Sequence, residues 1–262
     1  MRKLRWAVLP LCAVSLAVGV DAFAENICQG YGPQTPRDIA SKAGTNPIRF
    51  TFAPPSNEMN LCDIHFHTNA EHKARGFSVF AGKGKHGGYQ CNETSSLTEA
   101  ELKPVDHGAC HGVKPGDTIE VHWVHTSCDV APAPGLTSCF TKQCSNPQLR
   151  VEAQAFLVVN DPEAMHFENF VYGGEAVNGF HQAKAIPAGT GAPVVFGGST
   201  TGPSFTEQKC STIQATWSVR PMCAKIDIES LNEWCKGNVF KEDHAHGVRQ
   251  LVTAPELLAP IK

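Results

Sequence analysis

The chain has 11 cysteines among its 262 residues but no Cys-x-x-Cys pair. A cytosolic zinc ribbon, which is built on such pairs, is therefore excluded. No basic run occurs either. The 22 Lys and Arg are scattered against 25 Asp and Glu, for a net charge of −3, and nucleic-acid binding needs clustered positive charge. No Pro/Gly/Ser-rich linker, charge run or internal repeat divides the chain, which favours one domain. Helix signals are few. The N-terminal apolar stretch, residues 6–20, is too short and wrongly flanked for a membrane span.

That stretch instead fits a secretory signal. Arg2, Lys3 and Arg5 precede it, and Ala22-Phe23-Ala24 is a small-x-small cleavage site. Residues 1–24 are the expected signal peptide and 25–262 the mature domain, exported without a membrane anchor to a periplasm or to the medium. Cys12 leaves with the signal, so ten cysteines remain: Cys28, Cys62, Cys91, Cys110, Cys128, Cys139, Cys144, Cys210, Cys223 and Cys235. An even count in an exported chain argues for disulfides. Sequence does not fix their connectivity. Short loops suggest Cys139–Cys144 and Cys223–Cys235, with a long tie from Cys28 to Cys210.

Strand patterns recur at 47–52, 62–68, 76–81, 118–127, 149–160, 193–196 and 211–220, mostly bounded by Gly, Pro, Asn or Asp. Helical spacing is limited to 96–102 and 227–234, the second with an acidic start and Ile228, Leu231 and Trp234 on one face. The expected fold is mostly β (α+β). It is a single domain with a large, twisted, mainly antiparallel sheet and short peripheral helices.

Two of these strands carry the chemistry. One reads Cys62-Asp63-Ile64-His65-Phe66-His67, followed by Glu71-His72. The other reads Glu120-Val121-His122-Trp123-Val124-His125. Side chains two apart on a strand share a face, so His65 and His67 stand side by side and His122 supplies a third imidazole. Three imidazoles leave tetrahedral Zn²⁺ one open position, as in catalytic zinc sites. Asp63 and Glu120 each precede a histidine by two residues and share its face. Each is placed to accept a free ring N–H and fix the tautomer. His125 reads as a buried structural histidine. His244-Ala245-His246 reads as a solvated loop, and His107 and His111 as surface residues.

Taken together, these segments resemble carbonic anhydrases. The order is that of the α class: His-x-His, Glu-His, then Glu-x-His-x-x-His, a Ser199-Thr200-Thr201 loop and a Thr216-Trp217 strand. The δ class is the closer match, at 62–72, 120–128 and 198–203. The resemblance implies reversible hydration of CO₂ to bicarbonate by zinc-bound hydroxide, with His65, His67 and His122 as ligands and Asp63 and Glu120 supporting them. Thr201 would accept the hydroxide's proton and Glu71 the threonine's, with Thr200 the rival for that role. Val121, Val151, Ala153 and Trp217 are candidates for the apolar wall. No histidine occurs at 25–64, where the α class has its proton shuttle, so a shuttle would come from His72, His86, His107, His111, His166 or His181.

Two rival functions remain at this point. A cupin-type oxygenase would use His65, His67 and Glu71 with Fe or Mn. Against it, Met59 stands where the motif carries glycine, and the spacing from Pro115 to His122 is wrong for its second half. A non-catalytic exported zinc-binding protein would need a fourth protein ligand.

Overall fold

The computed structural model describes residues 32–84, 87–106, 108–200, 205–206, 208–248 and 252–262. Its frame is a seven-stranded mixed sheet. The strands are β1 (Asn60–Thr68), β4 (Thr118–Thr126), β5 (Leu149–Val159), β8 (Val194–Ser199), β9 (Gln214–Val219), β10 (Ala224–Asp227) and the short β11 (His246–Gly247). They run in the order β11-β1-β4-β5-β9-β8, with β10 also pairing β5. Two hairpins stand outside it, β2 (Phe77–Gly82) with β3 (Gly88–Cys91) and β6 (Tyr172–Val177) with β7 (Phe180–Ala183).

The mostly-β, single-domain expectation is what is observed. The pairings β1–β4, β4–β5 and β8–β9 are antiparallel, and β1–β11, β5–β9 and β5–β10 are parallel. Residues 47–52 form no strand. Residues 97–102 form no helix, and a 3-10 turn lies just before them at Asn92–Ser96. The one α-helix, α1 (Ile228–Cys235), begins where expected. Asp227 caps it by accepting from the Ser230 N–H at 2.9 Å.

Both faces of the central strands are buried, and β4 has no exposed residue. Alternation sorts its side chains. Val121 and Trp123 join Ile64, Phe66, Phe156, Leu231 and Trp234 on one side. Val124, Val151, Ala153, Phe196 and Trp217 pack on the other. Trp123, fully buried, satisfies its indole N–H on the Phe170 carbonyl at 2.7 Å.

Four disulfides join described residues: Cys62–Cys139, Cys91–Cys223, Cys110–Cys235 and Cys128–Cys144. Cys139–Cys144 and Cys223–Cys235 are therefore incorrect. Short loops close at low entropic cost, but the fold brings Cys139 against β1 and Cys223 against β3. The Cys28–Cys210 tie involves Cys28, outside the described residues, as does the expected signal segment. Disulfides in this number belong to an oxidising environment. No described helix is long and apolar enough to cross a membrane.

Candidate metal centre

Strands β1 and β4 pair with His65 directly opposite His122. Strand alternation puts His67 on the same face, and the three rings meet with centroids 4.9 to 5.2 Å apart. One nitrogen from each lies within 4.8 Å of the others, a spacing that a single ion can bridge. His67 and His122 are buried and His65 is half-buried.

The nitrogen facing the shared space follows from what holds the other. Nδ1 of His65 is 2.7 Å from the Asp63 carboxylate, leaving Nε2. Nδ1 of His67 is 3.3 Å from the Gly247 carbonyl, again leaving Nε2. His122 is reversed. Its Nε2 is 3.7 Å from Glu120, leaving Nδ1.

Glu120 is better engaged elsewhere. It lies 2.7 Å from Nδ1 of His72 and accepts from the Glu71 N–H at 2.6 Å. Its expected support of His122 is thus only a 3.7 Å contact, longer than a hydrogen bond, because the 71–72 segment claims its oxygens.

Electrostatics favour neutral imidazoles at His67 and His122 and ionised acids beside them. Burial lowers His67 to about 3 and also lowers His122. At His65 burial acts downward, but the hydrogen bond and charge of Asp63, with Glu242 and Glu71, raise it. Burial alone would raise Glu71; His67, Arg37 and His122 bring it down to about 2. Glu120 is likewise driven well below the usual carboxylate range, by His72 and His122, against its burial.

A cavity opens on this cluster. Its walls are the three histidines, Val124, Leu136, Val151, Thr200 and Trp217. Val151 and Trp217 are where the sequence put them. Val121 is not, because it lies on the opposite face of β4; Val124 takes its place. Ala153 faces the site side beneath His122 without lining the cavity. Glu152 points away and joins Arg150 at 2.6 Å and Arg220 at 3.1 Å. His125, on that rear face, is fully buried as expected.

Thr201 lies outside the described residues. Thr200 is buried at the cavity, its hydroxyl 3.2 Å from that of Ser211. Glu71 is buried, with one oxygen 3.6 Å from Nδ1 of His67 and the other 3.8 Å from Arg37.

His246 departs from the solvated-loop reading, whereas His244 keeps to it. His246 pairs with His67 across β1–β11, and its ring lies 5.9 Å from that of His65 and 6.0 Å from that of His67. Glu242 holds it at 2.8 Å. His244 is exposed, its ring tilted against that of His246 with centroids 4.9 Å apart. A two-residue strand has no alternation to reveal it, though the His-x-His spacing was a usable signal. His111, His166 and His181 take part in other contacts, and His86 and His107 lie outside the described residues.

A model of the delta carbonic anhydrase family matches residues 56–230, well over half the chain. The chain belongs to the delta carbonic anhydrase family. It is by that membership an enzyme, and the three histidines fall inside the matched region. Among solved structures it is similar to the α-carbonic anhydrase of Thermovibrio ammonificans in complex with the inhibitor sulfanilamide. The identity is 19%, 84% of each chain is covered, and the TM-score is 0.30, a loose likeness. No curated protein matches.

Proposed function

We propose that this delta carbonic anhydrase binds Zn²⁺ through His65, His67 and His122 and catalyses the reversible hydration of CO₂ to bicarbonate and a proton. The observation that carries the reading is the convergence of three inward imidazole nitrogens on a cavity with apolar walls. The donor set fits zinc: imidazoles without a fourth protein ligand in the group leave a position for water. A cupin site would bring Glu71 into the group. Its carboxylate instead faces His67 Nδ1 and Arg37, away from the shared space.

Zinc in such a site acidifies a coordinated water to a pKa of about 7, the general value for carbonic anhydrases, and so supplies a nucleophile at neutral pH. The residues of the chain do the rest. Asp63 fixes the tautomer of His65 and Gly247 that of His67, so both rings arrive preorganised. Val124, Leu136, Val151 and Trp217 give linear, apolar CO₂ a wall and keep bulk water from it. Thr201 would orient the attacking oxygen by accepting a hydrogen bond from it, and the threonine hydroxyl would in turn donate its own hydrogen bond to ionised Glu71. A carboxylate held ionised is acceptor-only, which gives that chain one direction. Thr200 is the alternative to Thr201. Export fits the disulfides and the 1–24 segment.

The test is CO₂ hydration by purified protein before and after chelation. Activity should vanish with the metal and return with zinc. A zinc-replete protein without hydration activity would instead favour a binding role. Purified protein that carries iron or manganese in place of zinc and does not hydrate CO₂ would favour the oxygenase.

A further inference from the structure

Three of the four apolar residues lining the cavity, Val124, Val151 and Trp217, stand on β4, β5 and β9, where the ladder holds them. Leu136 alone comes from outside the sheet. It opens the 3-10 turn Leu136–Cys139 in the connection between β4 and β5. Gly135 leads into that turn at φ +74°, a backbone region that a side chain would strain. A single 3-10 turn is short and poorly bonded, so something else must fix where Leu136 sits.

Its fastenings converge on one residue of β1. Cys139 is disulfide-bonded to Cys62. The Cys62 carbonyl accepts from the Ser138 hydroxyl at 2.8 Å and from the Ala133 N–H at 3.3 Å. Cys62 can do this because the β1–β4 register slips between Leu61 and Asp63, so Cys62 has no register partner on β4, although its sulfur lies 3.2 Å from the Val124 carbonyl. A bulge of this kind re-aims side chains next to a site. Here it turns Cys62 toward the metal side immediately before Asp63 and three residues before His65. The strand that supplies two metal ligands therefore also anchors the one apolar piece of wall that lies outside the sheet. Cys62 and Cys139 are both fully buried and neither lines the cavity.

We propose that the Cys62–Cys139 cross-link is a positioning clamp for the substrate pocket: it holds Leu136 against the three-histidine cluster and so sets the shape of the apolar wall. This rests on the zinc and CO₂ reading above. The cysteines touch neither substrate nor metal; they act through Leu136.

The test compares four forms of the oxidised full chain: the parent, Cys62→Ala with Cys139→Ala, Leu136→Ala, and all three changes together. Each is measured for zinc content, for kcat and KM of CO₂ hydration, and for hydrogen exchange of the amides at 133–140. The double cysteine variant should keep its zinc. Exchange at 133–140 should be about tenfold faster or more, from local opening. KM should rise about fourfold or more, the factor that one lost buried methylene contact represents, with kcat changed less. Leu136→Ala should do the same to KM, and the combined variant should be no worse than Leu136→Ala, because the two act as one unit. A folded, zinc-replete cysteine variant with unchanged KM or unchanged exchange overturns the clamp, and so do additive losses. Should that variant not fold, Ser138→Ala decides. It cuts a hydrogen bond to Cys62 and spares the disulfide, so KM and exchange should stay within about twofold of the parent. A rise in KM equal to that of Leu136→Ala overturns the proposal. An inactive, zinc-loaded parent contradicts the functional reading instead, and the exchange comparison then still decides the clamp.

Discussion

The Asp63 carboxylate lies 2.7 Å from Nδ1 of His65, two residues along the same strand. That contact holds one ring of the cluster with its Nε2 turned inward. Replacing Asp63 by Ala should leave the fold intact and weaken zinc binding about 10- to 100-fold, the usual effect of losing a partner that orients a metal-bound histidine. Competition with a chelator of known affinity measures it. Unchanged affinity would mean that strand geometry alone orients His65.

His122 is expected to be less forgiving. It alone presents Nδ1, and it alone comes from β4. His122→Ala leaves two imidazoles, too few for a tightly held zinc, so metal content and hydration activity should both be lost. Retention of stoichiometric zinc by a folded variant would place the third ligand elsewhere.

How much of this was legible in sequence depends on where the residues stand. The three histidines and Asp63 could be found because strand alternation fixes which side chains share a face, and β1 and β4 are long and regular. Val124 obeys the same rule once His122 is placed, and the rule puts Val121 on the opposite face. Leu136 was hidden in an irregular connection, where no periodicity operates. His246 sits on a strand of two residues, too short for a pattern. The disulfides failed for a different reason. Three of the four bridges join segments 77, 132 and 125 residues apart, and only the assembled sheet brings those segments together.

Glu71 offers a test of the orienting chain. Its low pKa, about 2, keeps it an acceptor at working pH. Glu71→Gln adds a donor at that position without removing a metal ligand. Zinc content should be near normal and kcat/KM should fall about 10²- to 10³-fold, the scale of one lost preorganised polar contact. Thr201→Ala should behave alike. If Thr200→Ala is the damaging change and Thr201→Ala is not, the orienting hydroxyl is one residue earlier. Full activity in all three variants would remove the orienting chain from the mechanism.

Behind the sheet, His125 makes stability depend on pH. Burial lowers it to about 4, whereas an unfolded histidine titrates near about 6.5. Between those values the unfolded chain binds the extra proton. The contribution of His125 is therefore complete above about pH 6.5 and is lost as pH falls toward about 4. Urea unfolding at pH 7 and pH 5 should show this loss in the parent, and His125→Leu should flatten it. An identical pH slope in both proteins would show that His125 is not the source.

The bridges should carry much of the stability. Each typically contributes about 2–4 kcal/mol, so reduction under denaturing conditions should prevent refolding at ordinary temperature. Thiol titration of the denatured, unreduced protein should find few free thiols. A count near ten in the mature chain would contradict the disulfide framework.

The most direct measurement is X-ray absorption at the zinc edge of the zinc-loaded protein, repeated on His122→Ala. Three imidazole nitrogens and one oxygen ligand at about 2.0–2.1 Å are expected, with one imidazole fewer, or no bound zinc, in the variant. A sulfur ligand, a protein carboxylate in the first coordination sphere, or an unchanged spectrum in the variant would contradict a zinc centre built on His65, His67 and His122.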